Sequence, residues 1–337
     1  MQTRKARAER SARVTPTPSA TLRRMRGTTI TPIDLDYLSL PGAALAFLVE
    51  VPDESAAGGV RRVLVECGPE ACRTRLESEL ARRGIDPASI EAVLLTHIHL
   101  DHAGAAGGFA SRGARILVHP RGVRHLVDPA KLVASSRRVH GDRFDRFYGE
   151  PIPGPADRID AIEDGAAVRV GDAILRAIET PGHARHHHAW MLEHAGGREC
   201  FTGDVAAMIV PGSRFISVPT PATDFDPSAW DASLARLLDE RSDRLWLTHG
   251  GRVDAPHEFL AAVRRRVADE AAFLLETARA CEDREAVERY RAWLHPQADA
   301  ARVPEAMRSA FLGRAFLEMN LAGTRKFLKD QLEPKHG

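Results

Sequence analysis

Several features that would narrow the function of this protein are scarce or missing from its sequence. No run approaches the roughly 20 consecutive apolar residues that a membrane span requires, and the N-terminus lacks the apolar core of a secretory signal. A net charge of +1, with 28% charged residues of both signs, gives no general attraction to nucleic acid or anionic membranes. The sequence therefore predicts a soluble, cytoplasmic protein that binds neither a membrane nor nucleic acid.

Cysteine is also scarce. The sequence has four cysteines, which show no CxxC spacing and no compact disulfide framework: Cys67, Cys72, Cys200 and Cys281. Two of them, Cys67 and Cys200, lie inside strand-like apolar segments. We interpret all four as reduced residues of the core.

Residues 1–27 differ in composition from the rest of the chain. They are rich in Arg, poor in large apolar residues and interrupted by Pro16 and Pro18, which predicts a flexible basic arm. An extended or misassigned start, a transit peptide, and a contact with RNA or an acidic partner all stay open for this arm. The remaining length, in a chain that is 44% hydrophobic, suffices for a sizeable core.

Strand and helix patterns fill residues 28–255. Strand-like segments run to Cys67, and strands then alternate with helices, including an amphipathic helix from Cys72 to Arg83. A charged helical stretch spans about 121–148, after which strand signals return as far as residue 250. Two such halves predict an α+β domain in which two sheets pack face to face with helices outside.

Beyond residue 255 only helical periodicity remains. Residues 256–337 therefore predict a C-terminal helical extension. We expect it to pack on the preceding domain, because its apolar stripes need a partner surface.

A dense group of metal-ligand types follows one apolar strand. The segment IEAVLLT, residues 90–96, runs directly into H-x-H-x-D-H, which supplies His97, His99, Asp101 and His102. Imidazoles and carboxylates are the ligands that suit Zn²⁺ and related ions. Three histidines and a carboxylate within six residues, in a chain with 15 histidines, predict a metal site at the end of this strand.

Three later strands each end in one further ligand type beside a glycine, in the segments TPGH, FTGD and LTHG, which supply His183, Asp204 and His249. This ordered series resembles the metallo-β-lactamase superfamily over about residues 28–255. The resemblance implies a four-layer αββα sandwich with two metal ions at one edge. It assigns His97, His99 and His183 to one metal, and Asp101, His102 and His249 to the second, with Asp204 as the bridge.

Two further residues would support the ligands by this resemblance. Glu66 stands where the family usually has an Asp that contacts a ligand histidine, and its extra methylene puts that contact in question. His187 matches a second histidine often found four residues after the TPGH histidine, and we assign it a supporting role. His119 is interpreted as a buried, hydrogen-bonded residue.

A two-metal centre predicts a hydrolase. A hydroxide that bridges the metals would attack an activated carbonyl, and Asp101 would orient it and shuttle its proton. The metals are predicted to be Zn²⁺, with Mn²⁺ or Fe²⁺ as alternatives. The substrate is predicted to be a small molecule, a thioester by resemblance to glyoxalase II, with Tyr148 and Lys131 as candidate substrate contacts.

Other functions stay open. A lactonase ranks second, behind a thioesterase. Lactonases of the superfamily usually have a Tyr between the bridging Asp and the last His, and this chain has none between Asp204 and His249. A mononuclear-iron oxygenase of the same fold and a metal-stabilised binding module are the remaining alternatives. The sequence leaves the oligomeric state open.

Overall fold

The fold is taken from a computed structural model that describes residues 27–221 and 224–332. Two six-stranded sheets stack face to face, and helices cover the outer face of each sheet. This arrangement is the predicted four-layer αββα sandwich. The predicted basic arm, residues 1–27, lies outside the described residues apart from Gly27.

The first sheet takes its strands in chain order. Its first three strands pair antiparallel and the last three continue the sheet in parallel. The strands are β1 (Thr29–Asp34), β2 (Leu45–Pro52), β3 (Val60–Val65), β4 (Ala92–Leu94), β5 (Arg115–Val118) and β6 (Ile159–Ala161).

Helices fill the parallel connections of this sheet. The predicted helix at 72–83 forms as α1 (Arg73–Arg82), between β3 and β4. Two short helices, α2 (Leu100–Ala103) and α3 (Ala106–Ala110), lead from β4 to β5. The predicted helical stretch at about 121–148 comprises three helices, α4 (Pro120–Val127), α5 (Ala130–His140) and α6 (Phe144–Phe147).

The second sheet has the strand order β14-β13-β10-β9-β8-β7, and its one parallel pair is β10 with β13. Helix α7 (Pro227–Asp239) connects these two strands, and β11 (Met208–Ile209) pairs with β12 (Ile216–Ser217) as a separate hairpin. The sheet strands are β7 (Ala167–Val170), β8 (Ala173–Glu179), β9 (His188–His194), β10 (Gly197–Phe201), β13 (Arg244–Leu247) and β14 (Gly251–Val253).

The strand pattern explains why the sheets stack. In β2, Phe47 and Val49 point into the core between the two sheets, whereas Ala46 and Leu48 point toward the helices. Alternate residues of a strand face opposite sides, so a strand buried on both faces is apolar throughout. Trp190 of β9 completes the layer between the sheets from the opposite side.

Four helices follow the second sheet: α8 (Pro256–Ala280), α9 (Asp283–Ala300), α10 (Glu305–Phe311) and α11 (Arg314–Leu332). The first half of α8 packs against α7 and the outer face of the second sheet through Leu260, Val263 and Val267. The other helices form a core of their own, which Met208 and Phe215 of the β11–β12 hairpin join. The extension thus packs on the sandwich, and the domain limits at 27/28 and 255/256 stay predictions.

No helix within residues 27–221 and 224–332 combines the length and the apolar character needed to cross a membrane. The four cysteines are buried free thiols.

Candidate metal centre

The seven predicted ligands lie together at one edge of the sandwich. The loop after β4 carries His97 and His99 and leads into α2, which contains Asp101 and His102. The loops after β8, β10 and β13 carry the other three, His183, Asp204 and His249. Because each residue follows the end of a strand, the two sheets bring segments that are distant in sequence to one place.

Three histidines form the first ligand group. The Nδ1 atom of His99 lies 2.9 Å from Nε2 of His97 and 3.0 Å from Nε2 of His183. His97 and His183 are buried and His99 is half-buried. These three nitrogens lie close enough together to hold one metal ion.

Two histidines and a carboxylate form the second ligand group. Nε2 of His249 lies 3.2 Å from Nε2 of His102 and 3.6 Å from Oδ2 of Asp101. The side chain of Asp101 is 25% exposed, so this group faces solvent on the side of Asp101. The three ligand atoms could hold a second metal ion.

Asp204 lies between the two groups. Its Oδ2 atom is 3.5 Å from Nε2 of His183, in the first group. Its Oδ1 atom is 3.3 Å from Nε2 of His102 and 3.7 Å from Nε2 of His249, in the second group. One carboxylate therefore offers an oxygen to each group.

The donor set fits metal ions better than it fits hydrogen bonds. Asp204 Oδ1 is buried and has no hydrogen-bond partner among the described residues, and a buried polar atom without a partner is costly. Ring nitrogens of five histidines crowd against one another and against two carboxylates. Cations placed among these atoms would satisfy all of them.

Most ligand histidines are oriented through the ring nitrogen that points away from the centre. Nδ1 of His97 lies 3.0 Å from Oγ1 of Thr96, and Nδ1 of His183 lies 3.1 Å from the carbonyl oxygen of Pro219. Nδ1 of His249 lies 2.5 Å from the carbonyl oxygen of Ala43. Such partners fix the tautomer and leave Nε2 free for a metal.

Burial and charge set the pKa values in the centre. Burial lowers the pKa of His183 to about 4, and it also lowers the pKa of His97, so both imidazoles are neutral and able to ligate. Burial opposes the charge of His102, but Asp204 and Glu66 outweigh it and raise the pKa of His102 well above its usual range. The histidines in turn outweigh burial at Asp204 and hold its pKa well below the usual range.

Comparisons with known proteins agree with this geometry. The family model of the metallo-beta-lactamase superfamily matches residues 41–250, which is more than half of the chain. The chain belongs to the metallo-beta-lactamase superfamily.

Several relatives share part of the sequence. A metallo-beta-lactamase fold-containing protein of Sulfurisphaera tokodaii is 28% identical over 49% of this chain and 62% of its own length. Atrochrysone carboxyl ACP thioesterases of Claviceps purpurea and Aspergillus fumigatus are 30% and 32% identical, each over 57% of this chain, and over 48% and 35% of their own lengths. The chain therefore spans between about a third and three-fifths of the length of these relatives.

Solved structures support the fold over nearly the whole chain. A metallo-beta-lactamase superfamily protein from Sulfolobus tokodaii superposes with a TM-score of 0.58 at 20% identity, and covers 90% of this chain and 99% of its own. A metallo-beta-lactamase family protein from Thermus thermophilus also superposes with a TM-score of 0.58, at 21% identity. The superposition covers 91% of this chain and 94% of that protein. Superfamily membership and the His/Asp groups together support a metal-dependent hydrolase.

Glu66 does reach a ligand histidine in this superfamily member. Its side chain is buried, its Oε1 atom lies 3.2 Å from Nδ1 of His102, and it accepts a hydrogen bond from the hydroxyl of Thr96. Glu66 also has a φ of 63°, in the left-handed region, which is unusual for a residue other than glycine. The extra methylene of Glu, compared with Asp, therefore does not prevent the contact.

His187 supports the centre through the backbone of Asp204. Its Nδ1 atom lies 2.8 Å from Oγ1 of Thr180, and its Nε2 atom accepts a hydrogen bond from the amide of Asp204 at 3.2 Å. His187 is therefore placed to fix the carboxylate that lies between the two ligand groups. His119 is buried as predicted, and its Nε2 atom lies 3.1 Å from Oε1 of Glu179.

The two candidate substrate contacts lie in different surroundings. Tyr148 follows α6, and its hydroxyl lies 3.2 Å from Nε2 of His140. Burial and the charge of Asp101 raise the pKa of Tyr148. Lys131 is exposed on α5, and its role as a substrate contact stays a prediction.

Sequence reasoning missed Tyr37, which lies on the loop between β1 and β2. Burial, Tyr148 and Asp101 raise the pKa of its hydroxyl well above the usual range. The loop holds Asp36, Leu38 and Ser39 in the left-handed region, which costs energy for residues other than glycine. Nothing in the local sequence marks this loop, because Tyr37 meets the site only through the fold.

His186 lies beside the predicted ligand histidines. Its ring stacks on that of His97 with centroids 6.2 Å apart, and its Nε2 atom lies 3.6 Å from Oδ2 of Asp224. His186 therefore borders the first ligand group. His188, the third of three consecutive histidines at 186–188, is fully buried, and the centroid of its ring lies 4.7 Å from that of His119.

Proposed function

We propose that this protein is a two-metal hydrolase that cleaves thioesters of small molecules. The observation that carries the proposal is Asp204, whose two oxygens face two separate ligand groups and whose Oδ1 atom lacks any hydrogen-bond partner among the described residues. His97, His99 and His183 would hold one ion and Asp101, His102 and His249 the other. A single-iron oxygenase would leave one of these two ligand groups without a metal ion.

The metal ions define the reaction class. Two divalent ions held there, Zn²⁺ in the simplest case and Mn²⁺ or Fe²⁺ otherwise, would polarise a carbonyl and make a water molecule acidic enough to attack near pH 7. The chain supplies the proton transfer, because the carboxylate of Asp101 is part-exposed and lies beside the second ligand group. Asp101 would take the proton from the attacking water and pass it to the leaving group.

The tyrosine pair suits the binding of the substrate carbonyl. Because the pKa values of Tyr37 and Tyr148 are both raised, their hydroxyls stay protonated and able to donate at neutral pH. The charge of Asp101, whose side chain is 25% exposed, contributes to the raised pKa of both hydroxyls. We infer that they orient the substrate from the side of the second ligand group.

Sequence similarity to named thioesterases supports a thioester as the substrate class. Two of the relatives are named as thioesterases of an acyl carrier protein product, and they share about 30% of the aligned residues. The same tyrosine pair favours a lactone as the second candidate. The charge of Asp101, in the second ligand group, acts on both tyrosine hydroxyls, although no Tyr lies between Asp204 and His249. We further propose, from the sequence, a cytoplasmic protein with a small-molecule substrate and no nucleic-acid partner.

The test is metal content measured together with hydrolysis. Purified protein and a His97→Ala, His99→Ala double variant would be compared by elemental analysis and with thioester and lactone substrates. The matched control is His257→Ala, which removes an exposed histidine from α8. We expect about two metals per chain, with metal and thioester hydrolysis both lost in the double variant only. One iron per chain with oxygen uptake and no hydrolysis would overturn the proposal.

A further inference from the structure

The first ligand group depends on a carbonyl that lies outside the ligand loops. Nδ1 of His183 lies 3.1 Å from the carbonyl oxygen of Pro219, which follows the β11–β12 hairpin. A histidine that binds a metal through Nε2 is held in place by the partner of its Nδ1 atom. The position of the His183 ring therefore depends on the position of the Pro219 carbonyl.

The segment around Pro219 has little support of its own. Pro219 and Pro221 have no amide hydrogen to donate, and the amide of Thr220 donates to a side chain. Among residues 27–221 and 224–332, no backbone-to-backbone hydrogen bond involves Pro219, Thr220 or Pro221. Something else must fix the peptide groups on either side of the Pro219 carbonyl.

Asn320 of α11 makes these contacts. Its Oδ1 atom accepts from the amide of Thr220 at 2.9 Å, and its Nδ2 atom donates to the carbonyl of Val218 at 2.8 Å. Its own carbonyl accepts from the Thr220 hydroxyl at 3.0 Å. One buried side chain thus holds the residues before and after Pro219.

Other residues of the C-terminal helices hold the side chain of Asn320 in place. Its Nδ2 atom also donates to the hydroxyl of Tyr290 at 2.9 Å, and that hydroxyl donates to Glu270. Helix α11 comes close enough because Gly323 has no side chain, since a Cβ there would lie 2.0 Å from the carbonyl oxygen of Thr220. The C-terminal helices therefore hold Asn320 rigidly against the segment.

We propose that Asn320 is a positioning residue of the metal centre, which fixes the Pro219 carbonyl and through it the ring of His183. This inference rests on the proposed two-metal centre. It gives the C-terminal helical extension a role in metal binding, although none of its residues is a ligand. A residue that only filled the helical core would have no reason to contact both neighbours of Pro219.

The test measures metal affinity, so it does not depend on knowing the substrate. Zn²⁺ binding would be titrated against a chromophoric chelator in the wild type and in Asn320→Ala. The control is Met307→Ala, which removes a buried side chain of α10 from the same helical core. We expect Asn320→Ala to weaken one of the two Zn²⁺ affinities by about 10–100-fold. The second affinity, and both affinities of the control, should change by less than about two-fold.

A double-variant cycle shows whether the effect passes through His183. In the His183→Ala background, Asn320→Ala should change Zn²⁺ affinity by less than about two-fold, because the ring that it positions is gone. An undiminished effect in that background would overturn the inference, and so would an equal effect of Met307→Ala. Where Asn320→Ala fails to fold, Thr220→Val removes only the hydroxyl that donates to the Asn320 carbonyl, and a smaller loss at the same Zn²⁺ site is expected.

The same experiment separates the two proposals. If His183→Ala retains both Zn²⁺ ions with native affinity, the proposed metal centre is wrong, and so is the proposed role of Asn320. If His183→Ala loses an ion while Asn320→Ala and Thr220→Val keep native affinities, only the role of Asn320 is wrong.

Discussion

The molecule contains two buried polar clusters that differ in how their hydrogen-bond donors and acceptors are matched. At the edge of the sandwich, carboxylate oxygens and imidazole nitrogens crowd together, and Asp204 Oδ1 has no hydrogen-bond partner among the described residues. In the C-terminal helices, the hydroxyl of Tyr290 donates to Glu270 and accepts from Asn320. Glu270 also forms an ion pair with Arg266 at 2.8 Å.

This difference separates a binding site from a structural network. Buried polar groups are tolerated where donors meet acceptors, and they are costly where acceptors meet acceptors. The helical cluster contains both kinds of group, so its members can pair with one another without a cation. The acceptors of the edge cluster would gain partners from bound cations, so its stability and its activity should both respond to metal.

The strongest test of this contrast is Asp204→Asn, which keeps the shape and removes the charge that faces both ligand groups. We expect loss of bound metal and a fall in kcat/KM of about a thousand-fold or more, because each ion supplies several kcal/mol of transition-state stabilisation. Elemental analysis and a thioester assay would measure it. Asp231→Asn on α7, whose carboxylate pairs with Arg264 at the surface, is the control. Native metal content in Asp204→Asn would refute the bridging role.

The helical cluster should respond to pH instead. Burial raises the pKa of Glu270 to about 7, against the opposing effects of Arg266 and Tyr290. Because the folded state holds this proton more tightly, the contribution of Glu270 to stability is complete below pH 4.5 and is lost as the pH rises toward 7. Relative to Glu270→Gln, wild type should lose roughly 3 kcal/mol of unfolding free energy over that range.

Urea unfolding of chelator-treated protein between these two pH values would measure this difference, since metal binding would otherwise add its own pH dependence. Glu276→Gln, which alters an exposed carboxylate of α8, should follow the wild type. Parallel pH profiles for wild type and Glu270→Gln would show that folding does not raise the pKa of Glu270.

Glu66 should show an intermediate effect at the edge cluster. Glu66→Gln removes the charge beside Nδ1 of His102, and we expect metal affinity to fall by about 10–100-fold while the fold is kept. Chelator competition measures the affinity, and Glu91→Gln, in an exposed ion pair with Arg61, is the control. Equal affinities in the two variants would mean that the Glu66 contact does not tune the ligand.

The smallest expected effect concerns the substrate. Tyr148→Phe removes a hydroxyl donor near Asp101 without touching a ligand, and we expect kcat/KM for a thioester to fall by about ten-fold, as for one lost hydrogen bond. Metal content should stay native. Arg146→Ala, at an exposed position of α6, is the control. An unchanged kcat/KM would remove Tyr148 from the substrate site.

The sequence predicts that the seven candidate ligands lie together because each lies directly after an apolar strand, so local pattern and position in the sheet agree. The four-layer sandwich follows from the same strands. The hairpin β11–β12 and the edge strand β14 were not predicted, because two or three residues carry too little periodicity. Tyr37 and Asn320 were not predicted either, because they come from segments that are distant in sequence, and Asn320 would act through the backbone carbonyl of Pro219, a group that every residue possesses.

The carbonyl partners of the ligand histidines also bear on how the protein is made. Ala43 is 206 residues from His249, and Pro219 is held by Asn320 from about 100 residues further along the chain. Contacts over such separations form late in folding, because the loops between them must close first. During synthesis, His97 and His183 leave the ribosome long before Asn320 does. Tight metal uptake should therefore mark the end of folding, and nascent chains should compete poorly for metal.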